Sequence, residues 1–317
     1  MAGKEGAPGL FYPDGQFRSE REIKRDLALK GQLPPIIEGA PERKTLKDYI
    51  GIAIKRSKDA REFSPQAQGN VIVRVPDDAI INFIADVHAF HPTTNHERLF
   101  QEVETIMETP RSYIVFGGDL IEGIHWGGAS GTEMVGSLDE QKGFMRELWR
   151  RTKGRVVGAV SGEHDSKWAA RSGSDPYCDF TDITGAPYKR GLLEMYLEAG
   201  GEEYTGIIAH KLRGDSIYSN THPAVRASRE IQGHDFYFGA HTHRKGLTQQ
   251  AVREVEGARM VTYGISGPYK QEDEFTQRSG WLSQKSRQLY GFAVRFNPDE
   301  KRIEVDEDIV HANKRWG

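Results

Sequence analysis

Cysteine is almost missing from this chain: Cys178 is the only one in 317 residues. A single thiol can form neither an intramolecular disulfide nor a thiolate metal site, so a stapled fold and a zinc-finger-type fold are excluded. No apolar run approaches the ~18 residues of a membrane span. The N-terminal MAGKEGAPGL lacks the apolar core of a secretory signal. A cytoplasmic protein without a membrane partner is therefore expected. An excess of one charge is lacking too. The formal net charge is -3 and the pI about 6.4, so bulk charge does not argue for a polyelectrolyte binder, although local patches leave nucleic acid open. There is no internal repeat and no low-complexity tract. What is present, 37% hydrophobic and 28% charged residues, is an ordinary globular composition.

Residues 1–78 stand apart as an N-terminal extension of unassigned role. They are rich in Lys, Arg, Glu, Pro and Gly, with Pro34-Pro35 and Pro41 as breakers. Leu46, Tyr49, Ile50, Ile52, Ala53 and Ile54 suggest one short amphipathic helix within them, and Val71, Ile72, Val73 and Val75 a strand that begins the main sheet. Over 79–317 strands and helices alternate. Strands are expected at 80–85, 113–116 and 155–160, and near 204–209, 235–239, 258–264, 289–296 and 302–309. Helices are expected at 96–108, 139–152 and 222–232, where apolar residues recur at helical spacing. Such alternation implies βαβ units with a covered sheet, and the strand-rich end implies a second sheet or an extension of the first. Two long loops are expected, one from Gly123 and one from Lys167 to about Lys189.

Five groups of acids and histidines each follow one of the strand-like runs. They are Asp86-Val87-His88, Gly118-Asp119, Gly162-Glu163-His164-Asp165, His210 and His241-Thr242-His243. Asp, Glu and His are the ligands of hard-to-borderline divalent metals. One strand-end histidine alone is best read as satisfied by a backbone carbonyl. Five such groups at the ends of strands, where α/β folds carry their sites, are not. The set points to a two-metal site that cleaves a phosphoester, since a cation pair can neutralise phosphate oxygens, generate hydroxide and stabilise the leaving oxygen. Asp119, after Gly117-Gly118, is the candidate carboxylate between the two ions, because the glycines let the backbone come close.

The order Asp-x-His, Gly-Gly-Asp, Gly-x-His-Asp, His and His-x-His resembles the calcineurin-like metallophosphoesterase superfamily over residues 86–243. That resemblance implies an α/β fold, a two-sheet βαβ sandwich flanked by helices, spanning 79–317. It implies that Asp86, His88 and His243 bind one metal, that Asp119 bridges, and that Glu163, His210 and His241 bind the other. His164 would protonate or polarise the leaving group, and Asp165 would orient His164. The cofactors would be two divalent ions, manganese first and otherwise zinc, iron or nickel. The activity would be hydrolysis of a phosphodiester or phosphomonoester by metal-activated water, with a nucleotide or nucleic acid among the open substrates.

Two positions depart from the family pattern. Ala240 replaces a glycine, a small change. Glu163 replaces an asparagine, which exchanges a neutral amide for an anionic ligand without a donor. It leaves open an alternative, a non-catalytic metal-binding scaffold of the same fold. The oligomeric state stays open as well. Outside the pattern, His91 is expected to face solvent near the site. His125 is expected to pack within the Gly-rich loop, and Cys178 to be a small buried residue. Lys211 and Arg213 are weighed as phosphate clamps against surface charges, and Tyr177 and Tyr269 as stacking aromatics.

Overall fold

The structure, a computed structural model, describes residues 19, 22, 46–47, 50–55, 71–75, 77–123, 135–254, 257–271 and 289–317. The chain divides into two compact units, Met1–Asp59 and Ala60–Gly317. In the smaller unit, residues 46, 47 and 50–55 are helical, where the apolar pattern suggests a helix.

The larger unit runs β1 (Val71–Val75), β2 (Ala79–Ile84), α1 (His96–Glu108), β3 (Ser112–Phe116), α2 (Leu138–Arg151) and β4 (Val156–Val160). It continues with α3 (Glu163–Ser172), α4 (Phe180–Thr184), β5 (Tyr188–Lys189), β6 (Leu192–Ala199), β7 (Glu202–Ala209) and α5 (His222–Glu230). The last elements are β8 (Phe236–Gly239), β9 (Gly246–Glu254), β10 (Gly257–Ile265), β11 (Phe292–Asn297), β12 (Arg302–Asp306) and α6 (Ile309–Trp316). The strands form two mixed sheets of six, ordered β12-β11-β2-β3-β4-β5 and β1-β6-β7-β8-β10-β9. The two-sheet sandwich flanked by helices is thus the fold. β1 lies in the segment read as extension, yet it pairs in parallel with β6 and belongs to the larger unit.

The period of two in β2 sorts its side chains between two cores. Ile81 and Phe83 pack with Val115, Leu193, Met195, Phe238 and Phe292 between the sheets. Ile80 and Ile84 point the other way, against Leu99, Val103 and Ile106 of α1 and Met145 and Trp149 of α2. The exception is Asn82, fully buried in mid-strand. Its amide donates to Ser112 Oγ and the Tyr113 carbonyl, both at 2.8 Å, and its oxygen accepts from Asn313 Nδ2 of α6 at 2.8 Å. A satisfied polar group of this kind ties α6 to the sheet without the cost of an orphaned amide. Helix starts are capped by side chains: Asn95 accepts from Arg98 N at 2.9 Å, and Ser137 and Glu140 form a capping box on α2.

Several elements differ from expectation. The loop read from Lys167 contains most of α3 and all of α4. These helices are short, and one or two buried residues each, such as Trp168 and Phe180, leave no readable stripe. β6 was missed although Leu193, Met195, Leu197 and Ala199 alternate along it. β9 was missed because it is a polar edge strand with β10 as its one partner. The run read as strand to 309 turns into α6 at Ile309, where Asp308 caps by accepting from His311 N at 2.9 Å. Of the Gly-rich loop, residues 124–134, with His125, lie outside the described residues. Among the described residues, no helix is long and apolar enough to cross a membrane.

Candidate metal centre

The residues singled out from the sequence all follow the carboxyl ends of strands that pair in parallel, three in one sheet and two in the other. Asp86 and His88 follow β2, Asp119 follows β3, and Glu163 and His164 follow β4. His210 follows β7, and His241 and His243 follow β8. The parallel ladder continues past the strand ends: Asp86 N donates to Gly118 O and His88 N to Asp119 O, each at 3.0 Å. Ala240 N donates to His210 O at 2.9 Å, which ties the two loops of the second sheet.

The backbone of these loops is unusual. Asp86, His88, Asp119, His241 and His243 have φ of 51°, 49°, 51°, 73° and 54°. Left-handed conformations are uncommon for residues other than glycine and cluster at functional sites. Here they fall at i and i+2 in both Asp86-Val87-His88 and His241-Thr242-His243. Close approach also requires glycine. A Cβ on Gly118, at φ +90°, would lie 2.4 Å from Gly162 N, and one on Gly162 would lie 2.0 Å from Asp119 Oδ1.

Two clusters of candidate metal ligands result. Asp86, His88 and His243 bring their ligand atoms within 4.8 Å of one another, and so do Glu163, His210 and His241. Asp119 groups with Asp86 and His210 on one side and with His88 and His164 on the other. The Nε2 atoms of His88 and His243 are 3.1 Å apart. His210 donates from Nδ1 to Gly117 O at 2.8 Å, which turns Nε2 inward, 3.1 Å from Asp119 Oδ2. Glu163 Oε2 is 2.7 Å from His241 Nδ1. Asp86 Oδ1 and His210 Nε2 are buried without a hydrogen-bond partner. Orphaned buried atoms of this kind, aimed at shared points among carboxylates and imidazoles, fit divalent cations.

The electrostatics agree. Burial pushes the Asp86 carboxyl up to about 6, against the opposing charge of His210. Burial acts upward on Asp119 too, but the charges of His210 and His164 outweigh it and hold that carboxyl well below the usual range. Burial would lower His210, yet Asp119 and Asp86 raise it to about 10, so a proton stands where a cation fits. Burial, with the charges of Lys270 and His164, drives His88 far below the usual histidine range, which keeps it neutral as a ligand must be. Partial burial raises Glu163, but the hydrogen bond from His241 together with the charges of His241 and His210 outweighs it, and the carboxyl lies below its ordinary value.

His164 sits at the start of α3, its ring centroid 4.5 Å from that of His88. Its backbone N–H donates to Asp119 Oδ1 at 2.8 Å. Its Nδ1 is 2.6 Å from the Glu122 carbonyl oxygen, so Nδ1 carries the proton. The expected pairing of Asp165 with His164 is corrected by this geometry. Asp165 Oδ2 accepts instead from Asp119 N at 2.8 Å and Gly162 N at 2.9 Å, and Oδ1 has no hydrogen-bond partner. Asp165 holds the two ligand turns together and reaches back over the helix start. Burial and the charge of Asp119 raise it to about 7.

Glu122 went unnoticed in the sequence. It is 1% exposed, and Oε2 lies 2.9 Å from His88 Nδ1, off the axis of a good hydrogen bond, and 3.7 Å from Lys270 Nζ. Burial raises its carboxyl, partly offset by Lys270. A carboxylate behind a ligand imidazole fixes which nitrogen faces the metal. The available signal was an acid one turn of chain after Asp119. His91 is buried rather than solvent-facing, with Nδ1 2.9 Å from Thr93 Oγ1. Cys178 is exposed rather than buried. Tyr177 and Tyr269 are buried: Tyr177 stacks on Tyr188 at 4.6 Å, and the Tyr269 hydroxyl bonds Glu102.

No family model matches the chain, and no curated protein does. Solved structures do. The chain is similar to a metallophosphoesterase from Sphaerobacter thermophilus at 15% identity and TM-score 0.34, covering 74% of this chain and 93% of that one. It is similar to the nuclease MPE of Pseudomonas putida at 12% and 0.32, covering 71% and 87%. It is similar to a Vps29 single mutant from Entamoeba histolytica at 11% and 0.35, covering 72% and 97%. Likeness at this level decides neither activity nor substrate, which rest on the side chains themselves.

Proposed function

We propose that the protein is a two-metal phosphoesterase that hydrolyses a phosphodiester in preference to a phosphomonoester, with nucleotides or nucleic acid as the substrate class. The observation that carries this reading is the pair of ligand clusters with Asp119 between them. Asp86, His88 and His243 would hold one divalent ion and Glu163, His210 and His241 the other. Bound there, two such ions, manganese first among the candidates, supply charge for the phosphate oxygens and lower the pKa of an attacking water.

The chain's own groups do the rest. Asp119, held below the usual carboxylate range, stays anionic between the clusters at neutral pH. Glu122 and the Gly117 carbonyl orient His88 and His210 from behind. With its Nδ1 proton committed to the Glu122 carbonyl, His164 presents Nε2 at the edge of the site, where a protonated ring can give a proton to the leaving oxygen. The α3 N-terminus adds the positive end of a helix dipole beside the phosphate position.

A second reading, a metal-binding scaffold without turnover, draws support from one contact. Glu163 and His241 already satisfy each other at 2.7 Å, and no amide stands at position 163 to donate to a phosphate. Manganese-dependent hydrolysis of bis(4-nitrophenyl) phosphate, with metal content measured on the same sample, tests the proposal. Bound metal with no turnover would favour the scaffold.

A further inference from the structure

A cleft of about 520 Å³ has Glu163 and His210, two residues of the second cluster, in its lining. That volume suits a nucleotide-sized ligand. Beyond those two residues the cleft has an apolar character foreign to a metal site. Leu192, at the start of β6, is 41% exposed, and Ile231, just after α5, is 36% exposed, and both line the cleft with Leu212. Apolar side chains left open on a concave surface beside a charged centre mark a place for a flat or apolar group.

The cleft is also cationic. Arg190, Lys211 and Arg213 line it. Arg190 is held in place by Asp175, with Nε 2.9 Å and a terminal nitrogen 2.7 Å from Oδ2. Lys211 and Arg213 are exposed and form no ion pair with another described residue. Of the two acids in the lining, Glu163 belongs to the ligand cluster and Glu230 is paired with Arg226 at 3.3 Å. The free charge of the cleft is therefore positive. A neutral organic substituent would not need it, and a bare phosphate would not need the leucine and isoleucine.

We infer that this cleft binds a nucleoside bearing a second phosphate, as one substituent of the phosphoester at the metal centre. The base lies against Leu192, Leu212 and Ile231, and the second phosphate lies at Arg213 and Lys211. The inference rests on the phosphoesterase reading for its orientation, but it predicts binding that needs no turnover.

The test is calorimetry on the full chain, metal-free and manganese-loaded, with thymidine 3′,5′-bisphosphate, thymidine and inorganic phosphate as probes. The bisphosphate should bind at least tenfold more tightly than either of the other two. Arg213→Glu should weaken it by about tenfold or more, the scale of one charge-assisted phosphate contact, and Arg213→Lys should recover part of the loss. Ile231→Asp, at an exposed position, should weaken the bisphosphate and thymidine alike but leave inorganic phosphate as it was. A bisphosphate that binds no better than phosphate, or that ignores Arg213→Glu, overturns the inference. A trinucleotide separates two sources of the same chemistry: much tighter binding than the bisphosphate points to an oligonucleotide end, and equal binding to a mononucleotide. Selective binding without hydrolysis of bis(4-nitrophenyl) phosphate would keep the cleft and remove the phosphoesterase reading. Hydrolysis without selective binding would do the reverse.

Discussion

His88 and His243, 155 residues apart in sequence, bring their Nε2 atoms to 3.1 Å. Asp86 Oδ1, buried without a hydrogen-bond partner, lies 3.9 Å from His243 Nε2, so ligand atoms of all three residues surround one point. A cation at that point satisfies all three. The β2 and β8 ends, in different sheets, are thereby stitched together by one ligand set.

The first prediction follows from Asp119, the carboxylate shared by both clusters. Asp119→Asn should lose most of the bound metal and nearly all activity while the fold persists, because two cations lose their common screening charge. Elemental analysis of folded variant and wild type decides it. Two metals retained per chain in the variant would sink the assignment of Asp119 as the bridge.

His164→Ala should leave the metal content unchanged and reduce turnover by about 10²–10⁴, the scale of one general acid–base group. The loss should shrink as the leaving group improves, since a good leaving group needs less protonation. A series of aryl phosphodiesters of falling phenol pKa measures this. Loss of metal from the variant would instead make His164 a ligand, as its grouping with His88 and Asp119 permits.

Glu122→Gln should weaken metal binding at the Asp86–His88–His243 cluster by about 10–100-fold, the usual cost of removing a carboxylate behind a ligand histidine. Competition with a chelator gives the affinity. The second cluster should change much less, because His210 is oriented by the Gly117 carbonyl. Equal weakening at both clusters would mean that Glu122 acts on the whole centre through its charge.

The candidate ligands were legible as a group because their chemistry is local. Asp86, His88, Asp119, Glu163, His210, His241 and His243 each follow a strand whose apolar run announces where it ends, and the structure brings all seven together. Two things were not legible. Asp165 took its expected role from the family resemblance, but α3 begins at Glu163, and the third residue of a helix points back to its cap rather than along the row to His164. Glu122 is invisible for the opposite reason: its partners, His88 and Lys270, come from other loops, and no spacing within the chain records that meeting. The same holds for the fold. Buried strands with continuous apolar runs were readable, whereas β9, an edge strand of Gln, Thr and Arg, carries no such run.

Stability should depend on pH through Glu102, which lies in α1 away from the ligands. Its carboxyl is fully buried, accepts from Arg98 Nε at 2.8 Å and from the Tyr269 hydroxyl, and feels Lys245. Burial nevertheless prevails and raises its pKa above the ordinary 4.5. Between 4.5 and that raised value, the native chain holds a proton that the unfolded chain has released. This group's contribution is therefore fully present below 4.5 and falls away as the pH rises through the native value. Glu102→Gln cannot titrate, so its stability should vary less across that window. Urea unfolding midpoints over a pH series, compared between the two proteins, read the difference. Parallel profiles would show that Glu102 does not carry it.

The last prediction concerns Glu163. Its Oε2 lies 2.7 Å from His241 Nδ1, so the carboxylate is part of the second cluster and not turned away to solvent. As a ligand it adds a negative charge beside Asp86 and Asp119, tightening metal binding and reducing the pull on an anionic substrate. Asparagine is one methylene shorter and neutral, and brings an N–H donor. Glu163→Asn should then lower metal affinity at this cluster and raise phosphate affinity about tenfold or more, since a charge-assisted hydrogen bond is worth roughly 1.5–3 kcal/mol. Metal titration, followed by inorganic phosphate binding at saturating manganese, separates the two effects. If both affinities match wild type, Glu163 serves only to hold His241, and the second ion has the two histidines and Asp119 as its protein ligands.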